Sequence, residues 1–152
     1  MQEVGQSLLL SGISGLRLLN AQGDPVAVAG TFLDGTAEME VPVRGNGQQA
    51  TMLWQDGFVL RTSNAVQRDG KPVGSLAAEQ RLTEMTRLLR SADAQSESSD
   101  ILVCGRQSDD AVCFPSRFYQ VNLHIPLYKD GKPNLAISRA LLGQKGVLLV
   151  KD

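Results

Sequence analysis

Between Phe58 and Leu89 the chain spells out a hairpin followed by a helix. The alternating run Phe58-Val59-Leu60-Arg61-Thr62-Ser63-Asn64-Ala65-Val66 meets the turn Arg68-Asp69-Gly70-Lys71-Pro72 and resumes at Val73-Gly74-Ser75-Leu76-Ala77. Asp-Gly supplies the positive φ angles of a two-residue hairpin turn, and Pro72 suits a strand position whose amide has no ladder partner. From Leu82 the apolar residues fall at Leu82, Met85, Leu88 and Leu89, the spacing of one helix face. Two further Asp-Gly turns, Asp56-Gly57 and Asp130-Gly131, follow the same pattern.

Such turns repeated between alternating runs commit a chain to antiparallel pairing. In order, the sequence predicts strands at Leu16–Leu19 and Val26–Ala29 around an Asn20-to-Pro25 turn, an edge strand over Glu38–Val43, and Ala50–Trp54 leading through Asp56-Gly57 into the Phe58 strand. Beyond the helix, Ser91 to Asp100 is polar and reads as a surface loop. Val121, Leu123, Ile125 and Leu127 then alternate with polar residues as a half-buried strand. Asn134 is the expected N-cap of a short helix through Ile137, Ala140 and Leu141 that stops at Gly143, and a last strand starts at Val147. Gln2 to Leu10 reads as the end of a helix. The fold class this predicts is α+β, an antiparallel sheet with helices packed on it, in a single domain over residues 1–152. A chain of 152 residues buries roughly 70% of its unfolded surface and needs no staple to fold.

Cys104 and Cys113 are the two cysteines. If Ser108-Asp109 form a two-residue turn, 107 pairs with 110 and the count outward sets 104 opposite 113, where Cα atoms approach to roughly 4.5 Å. A cross-strand disulfide is one reading, pointing to an oxidising compartment. Two buried thiols in a cytosolic protein are the other.

Several kinds of chemistry have no support in the sequence. With 15 basic and 16 acidic residues and no run of like charge, neither a nucleic-acid footprint nor a polybasic membrane patch is present. His124 is the one histidine and has no ligand at metal spacing and no nucleophile elbow to serve, so no metal site and no catalytic residue is assigned. No phosphate loop or dinucleotide turn joins a strand to a helix, and no cofactor is expected. Glu79 and Glu84 read as acidic residues favouring the helix N-terminus. The chain is therefore not read as an enzyme.

Ligand binding is the function with residues to carry it. The Phe58 strand has a polar middle, Arg61 and Ser63 on one face, and a polar group in mid-sheet either faces water or lines a cavity. Trp54, Arg117, Tyr119 and Tyr128 are further candidates for a pocket wall, Arg117 being able to clamp a carboxylate. For each of these the competing reading is a solvated face, ordinary packing or a rim position.

Three stretches together resemble a known family. They are Asp69-Gly70-Lys71-Pro72-Val73-Gly74 followed by Glu79 and Leu82, Cys104 to Cys113 running into Phe114-Pro115-Ser116-Arg117, and Ala140-Leu141-Leu142-Gly143-Gln144-Lys145-Gly146-Val147 ending in Lys151-Asp152. From about Leu16 to Asp152 the chain resembles the Cache-like (PAS-like, PDC) periplasmic sensory regions of bacterial membrane receptors, which precede histidine kinase, diguanylate cyclase or phosphodiesterase modules. The resemblance implies a PAS-like sheet of five or six antiparallel strands, and an extracytoplasmic sensor cut from a longer receptor anchored by transmembrane helices outside this sequence. It implies a small-molecule ligand as partner, a homodimer as a compatible assembly, and no nucleic acid. The alternative from another class is a cytoplasmic PAS- or GAF-like module that binds a protein partner and no small molecule.

Overall fold

The computed structural model describes residues 12–35, 37–44, 49–94, 100–120 and 122–146. The chain forms two compact units, residues 1–87 and 88–152. The expected helix over Gln2–Leu10 and the strand from Val147 lie outside the described residues.

The first unit is a six-stranded sheet. Its strands are β1 (Ile13–Asn20), β2 (Pro25–Gly30), β3 (Met39–Arg44), β4 (Gln49–Trp54), β5 (Phe58–Arg68) and β6 (Lys71–Arg81), ordered β2-β1-β6-β5-β4-β3. Every pairing is antiparallel. Four neighbouring pairs are consecutive in sequence, and the turn chemistry explains them. Asp69 (φ 52°) and Gly70 (φ 72°) close the β5–β6 hairpin, and Asp56 (φ 50°) and Gly57 (φ 145°) turn β4 into β5. The β1–β6 pair is the long-range closure, setting the first hairpin beside the last strand.

The β6 strand is longer than the alternation predicts and carries a bulge. Gln67 pairs with Pro72 but Val66 pairs with Gly74, which leaves Val73 as the extra residue. Pro72 has no amide hydrogen for the ladder, so the irregularity falls where pairing is already interrupted. One extra residue reverses which face each later residue occupies. Beyond the bulge Gly74 packs against β1, where any side chain would run into the Leu19 carbonyl. Gly74→Ala therefore costs about 1–3 kcal/mol, read as a lower urea midpoint at unchanged slope; a midpoint equal to wild type would place the β1–β6 contact differently.

Helix α1 (Thr83–Ala94) follows β6 directly. Leu82 N–H donates to the Phe58 carbonyl (2.8 Å), and Phe58 N–H donates to Thr86 Oγ1 (3.0 Å), tying the first helical turn to the start of β5. Two expectations are corrected here. Leu88, on the apolar face of the expected helix, is 58% exposed, and Ser91 to Ala94, in the expected loop, are helical.

The second unit holds β7 (Cys104–Gln107), β8 (Asp110–Cys113) and β9 (Leu123–Pro126) in an antiparallel sheet, a two-residue ribbon of β10 (Tyr128–Lys129) and β11 (Lys132–Pro133), and the short helix α2 (Ala136–Leu141). Its turns hold Ser108 at φ 54°, and Asp130 and Gly131 at φ 52° and 72°. Ala111, Val112, Cys113, Phe114 and Leu127 are buried. The N-cap of α2 is Leu135 rather than Asn134: Leu135 N–H donates to Ser138 Oγ (3.4 Å), while Asn134 Nδ2 donates to the Pro126 carbonyl (3.2 Å). The Gly143 stop holds, with φ at 90° just past the helix. Among the described residues, antiparallel sheet with two short helices is thus the observed class.

Candidate functional site

Cys104 and Cys113 are joined by a disulfide across the β7–β8 pair, their Cα atoms 3.9 Å apart. The register is the one counted from a Ser108-Asp109 turn.

The polar middle of the first sheet is the more informative region. Directly opposed residues of an antiparallel pair share a face, and Arg61 opposes Glu79 on β6 and Thr51 on β4. Along the same face run Val59 and Leu53, Ala77, and Arg17 opposite Ala77. The segment between β2 and β3 must travel from one sheet edge to the other, and it lies over this face. Thr31 N–H donates to the Ser14 carbonyl, Leu33 packs with Leu53 and Val59, and Glu38 N–H reaches the Trp54 carbonyl. Gly15 permits the approach: a Cβ there would stand 2.6 Å from the Thr31 carbonyl oxygen and 2.8 Å from the Phe32 ring.

Beneath this segment Glu79 is fully buried. The expectation that it serves the helix N-terminus is corrected, because β6 runs on to Arg81 and keeps Glu79 in the sheet. Both of its carboxylate oxygens are used. Oε1 accepts from Arg61 Nε (2.7 Å) and lies 2.6 Å from Arg61 Nη2, and Oε2 accepts from Leu33 N–H (3.0 Å). A buried carboxylate is tolerated when it is paired and hydrogen-bonded in this way. The Arg61 side chain, one quarter exposed, also lies 3.5 Å from Glu40 (Nη1) and 3.7 Å from Asp34 (Nη2). Arg17 Nη2 binds Asp34 Oδ2, and the Arg17 guanidinium stacks 4.2 Å over the Phe32 ring. Arg61 is therefore held by carboxylates while part of its side chain stays exposed. It is the hub of a charge network joining β1, β3, β5, β6 and the crossing segment.

The hydrogen bond from Arg17 holds the Asp34 carboxyl below its ordinary value; partial burial opposes the shift, and the charges of Arg17 and Arg61 reinforce it. A depressed folded-state pKa adds stability above the unfolded value and loses it as pH falls through the folded one. The Asp34 side chain is half exposed, so the contribution is about 1 kcal/mol or less. Urea titrations of wild type and Asp34→Asn should differ by that amount from pH 5 to 8 and converge below about pH 4; a gap that persists in acid would assign the effect to packing.

The other candidates are distributed unevenly. Ser63 lies on the Arg61 face, two residues along β5 and opposite Ala77. Trp54 is on the opposite face, its ring edge-on to Phe58 at 4.8 Å. Arg117 and Tyr119 belong to the second unit, in the Phe114–Gln120 connection held by Asp100, whose Oδ2 accepts from Ser116 Oγ (2.6 Å). There Arg117 sits 5.3 Å over the Phe118 ring and Tyr119 is 46% exposed. Tyr128, on β10, is exposed, as is His124 on β9. Arg17, Asp34, Glu40 and Glu79 are the members of the network that sequence reasoning missed. Among the described residues no group of His, Cys, Asp and Glu could hold a metal ion, and no helix is long and apolar enough to cross a membrane.

No known protein family, no curated protein and no solved structure matches the chain.

Proposed function

We propose that this chain is the extracytoplasmic, PAS-like sensory domain of a bacterial membrane receptor of the Cache class, and that it binds a small molecule on the Arg61 face of its first sheet. The observation that carries the reading is the Arg61–Glu79 pair in mid-sheet under the Thr31–Gly35 segment. Charged groups concentrated on a covered face, with partly exposed arginines at its border, are what a polar ligand needs and what a purely structural core avoids. The six antiparallel strands of the first unit agree with the sheet the resemblance implies. The Cys104–Cys113 disulfide favours an oxidising compartment over the cytoplasm and so disfavours the cytoplasmic interaction module.

Signalling in such a receptor follows from differential affinity. A ligand that binds one arrangement of the crossing segment and sheet more tightly shifts the equilibrium toward it, and the receptor's own output module reads the shift. The protein itself then does no chemistry. A thermal-shift screen over amino acids, carboxylates and other small metabolites tests the reading. A ligand present at about 100 times its Kd adds about 2.7 kcal/mol, which for a chain of this size raises Tm by roughly 5–10 °C. A screen in which no compound moves Tm would count against a sensor.

A further inference from the structure

We propose that Arg17 and Arg61 form a carboxylate-binding pair whose present occupant is the chain's own Asp34, so that the ligand this face takes is a small carboxylic acid. The inference rests on the sensory reading of the same face and names its ligand class. Asp34 bridges the two guanidiniums, Oδ2 on Arg17 and Oδ1 facing Arg61 Nη2 at 3.7 Å. One carboxylate thus already sits where another would bind.

Both guanidiniums are held in place without Asp34. Glu79 fixes Arg61 from beneath, and the Phe32 ring supports Arg17. Donors positioned in advance lose little freedom when an acceptor arrives. They are also incompletely used. Arg17 Nε is buried with no acceptor, and Arg61 Nη2, although 2.6 Å from Glu79 Oε1, meets it too obliquely for a hydrogen bond. A buried N–H without an acceptor is costly, and a planar carboxylate presented to the fork of a guanidinium is its best-matched partner.

Asp34 is replaceable because its anchors are not its own. Leu33 is buried with Leu53 and Val59 and its N–H is bound to Glu79, whereas the Asp34 side chain is 53% exposed. Rotation of that one side chain into water clears the pair and leaves the backbone in place. With Asp34 turned away, Arg61 keeps Glu79 and the half-exposed Glu40 while Arg17 is released from its carboxylate, and two cations against two carboxylates favour a single incoming carboxylate over a polyanion.

The test is calorimetric titration of propionate, with its neutral isostere propionamide as control, into wild type, Asp34→Asn and Asp34→Ala. Removing the internal competitor should tighten propionate binding about 5–10-fold in both variants, with propionamide silent throughout. Adding Arg17→Gln to Asp34→Ala should abolish the gain while circular dichroism stays native. Unchanged or weaker propionate binding in the Asp34 variants, or binding that survives Arg17→Gln, would overturn the proposal. If a compound of another class stabilises wild type and Asp34→Ala equally, the carboxylate assignment fails and the sensory reading stands. If nothing binds, propionate included, both fail.

Discussion

Glu79→Ala is expected to lower the unfolding free energy by about 3–5 kcal/mol, the cost of stranding the partner of a buried charge. The substitution removes the acceptor of Arg61 Nε and of the Leu33 N–H that pins the crossing segment to the sheet, and with it the charge 2.6 Å from Arg61 Nη2. Glu79→Gln keeps an oxygen for one donor and loses the charge, so it should cost about 2 kcal/mol. Joint replacement by Arg61→Leu and Glu79→Leu removes both members of the buried pair, so no buried charge is stranded. It should therefore fall short of the sum of the two single losses by roughly 1–3 kcal/mol, the coupling of residues in contact. Urea unfolding of these five variants, the two single leucine replacements included, measures all of this. A Glu79→Ala protein within about 0.5 kcal/mol of wild type would show that water reaches Glu79 freely.

Opening the Cys104–Cys113 bridge should have the next largest effect. Nine positions separate the two cysteines, and on the chain-entropy account so short a loop is worth at most about 2.5–3 kcal/mol. The loss should be local, appearing as faster amide exchange in β7 and β8, because the bridge crosses that hairpin alone. Thiol titration checks the premise. Protein from an oxidising compartment should show almost no reactive thiol before reduction and both cysteines after it. Two reactive thiols on native protein would remove the argument for compartment, and unaltered exchange after reduction would remove the argument for stability.

The sequence reads well wherever turn chemistry is local. Asp56-Gly57, Asp69-Gly70 and Asp130-Gly131 each set a turn the structure contains, and counting outward from Ser108-Asp109 places Cys104 opposite Cys113. The same count fails on the central hairpin. From a two-residue Asp69-Gly70 turn Arg61 would face Ala78, and the bulge at Val73 advances the register so that it faces Glu79 instead. Pro72 marks the place where a bulge is cheap but does not announce one. The alternation after the turn reaches only Ala77, so the sequence assigns Glu79 to the helix. Arg17 and Asp34 were invisible for a different reason: they meet through the β1–β6 closure and the crossing of the sheet face, neither of which leaves a local pattern. Arg61 could be picked out because an arginine in the middle of an alternating strand demands an explanation. Its partners could not.

Whether a small molecule is felt on the Arg61 face is read from a nitrogen–proton correlation spectrum recorded while a compound that raises Tm is titrated in. The Leu33 amide and the Arg61 Nε–H both bond to Glu79 and report on it from opposite sides. These two signals, with amides of β1, β5 and β6 beside them, should show the largest saturable shifts. Shifts confined to residues 100–146, with Leu33 and Arg61 unmoved, would contradict binding on that face.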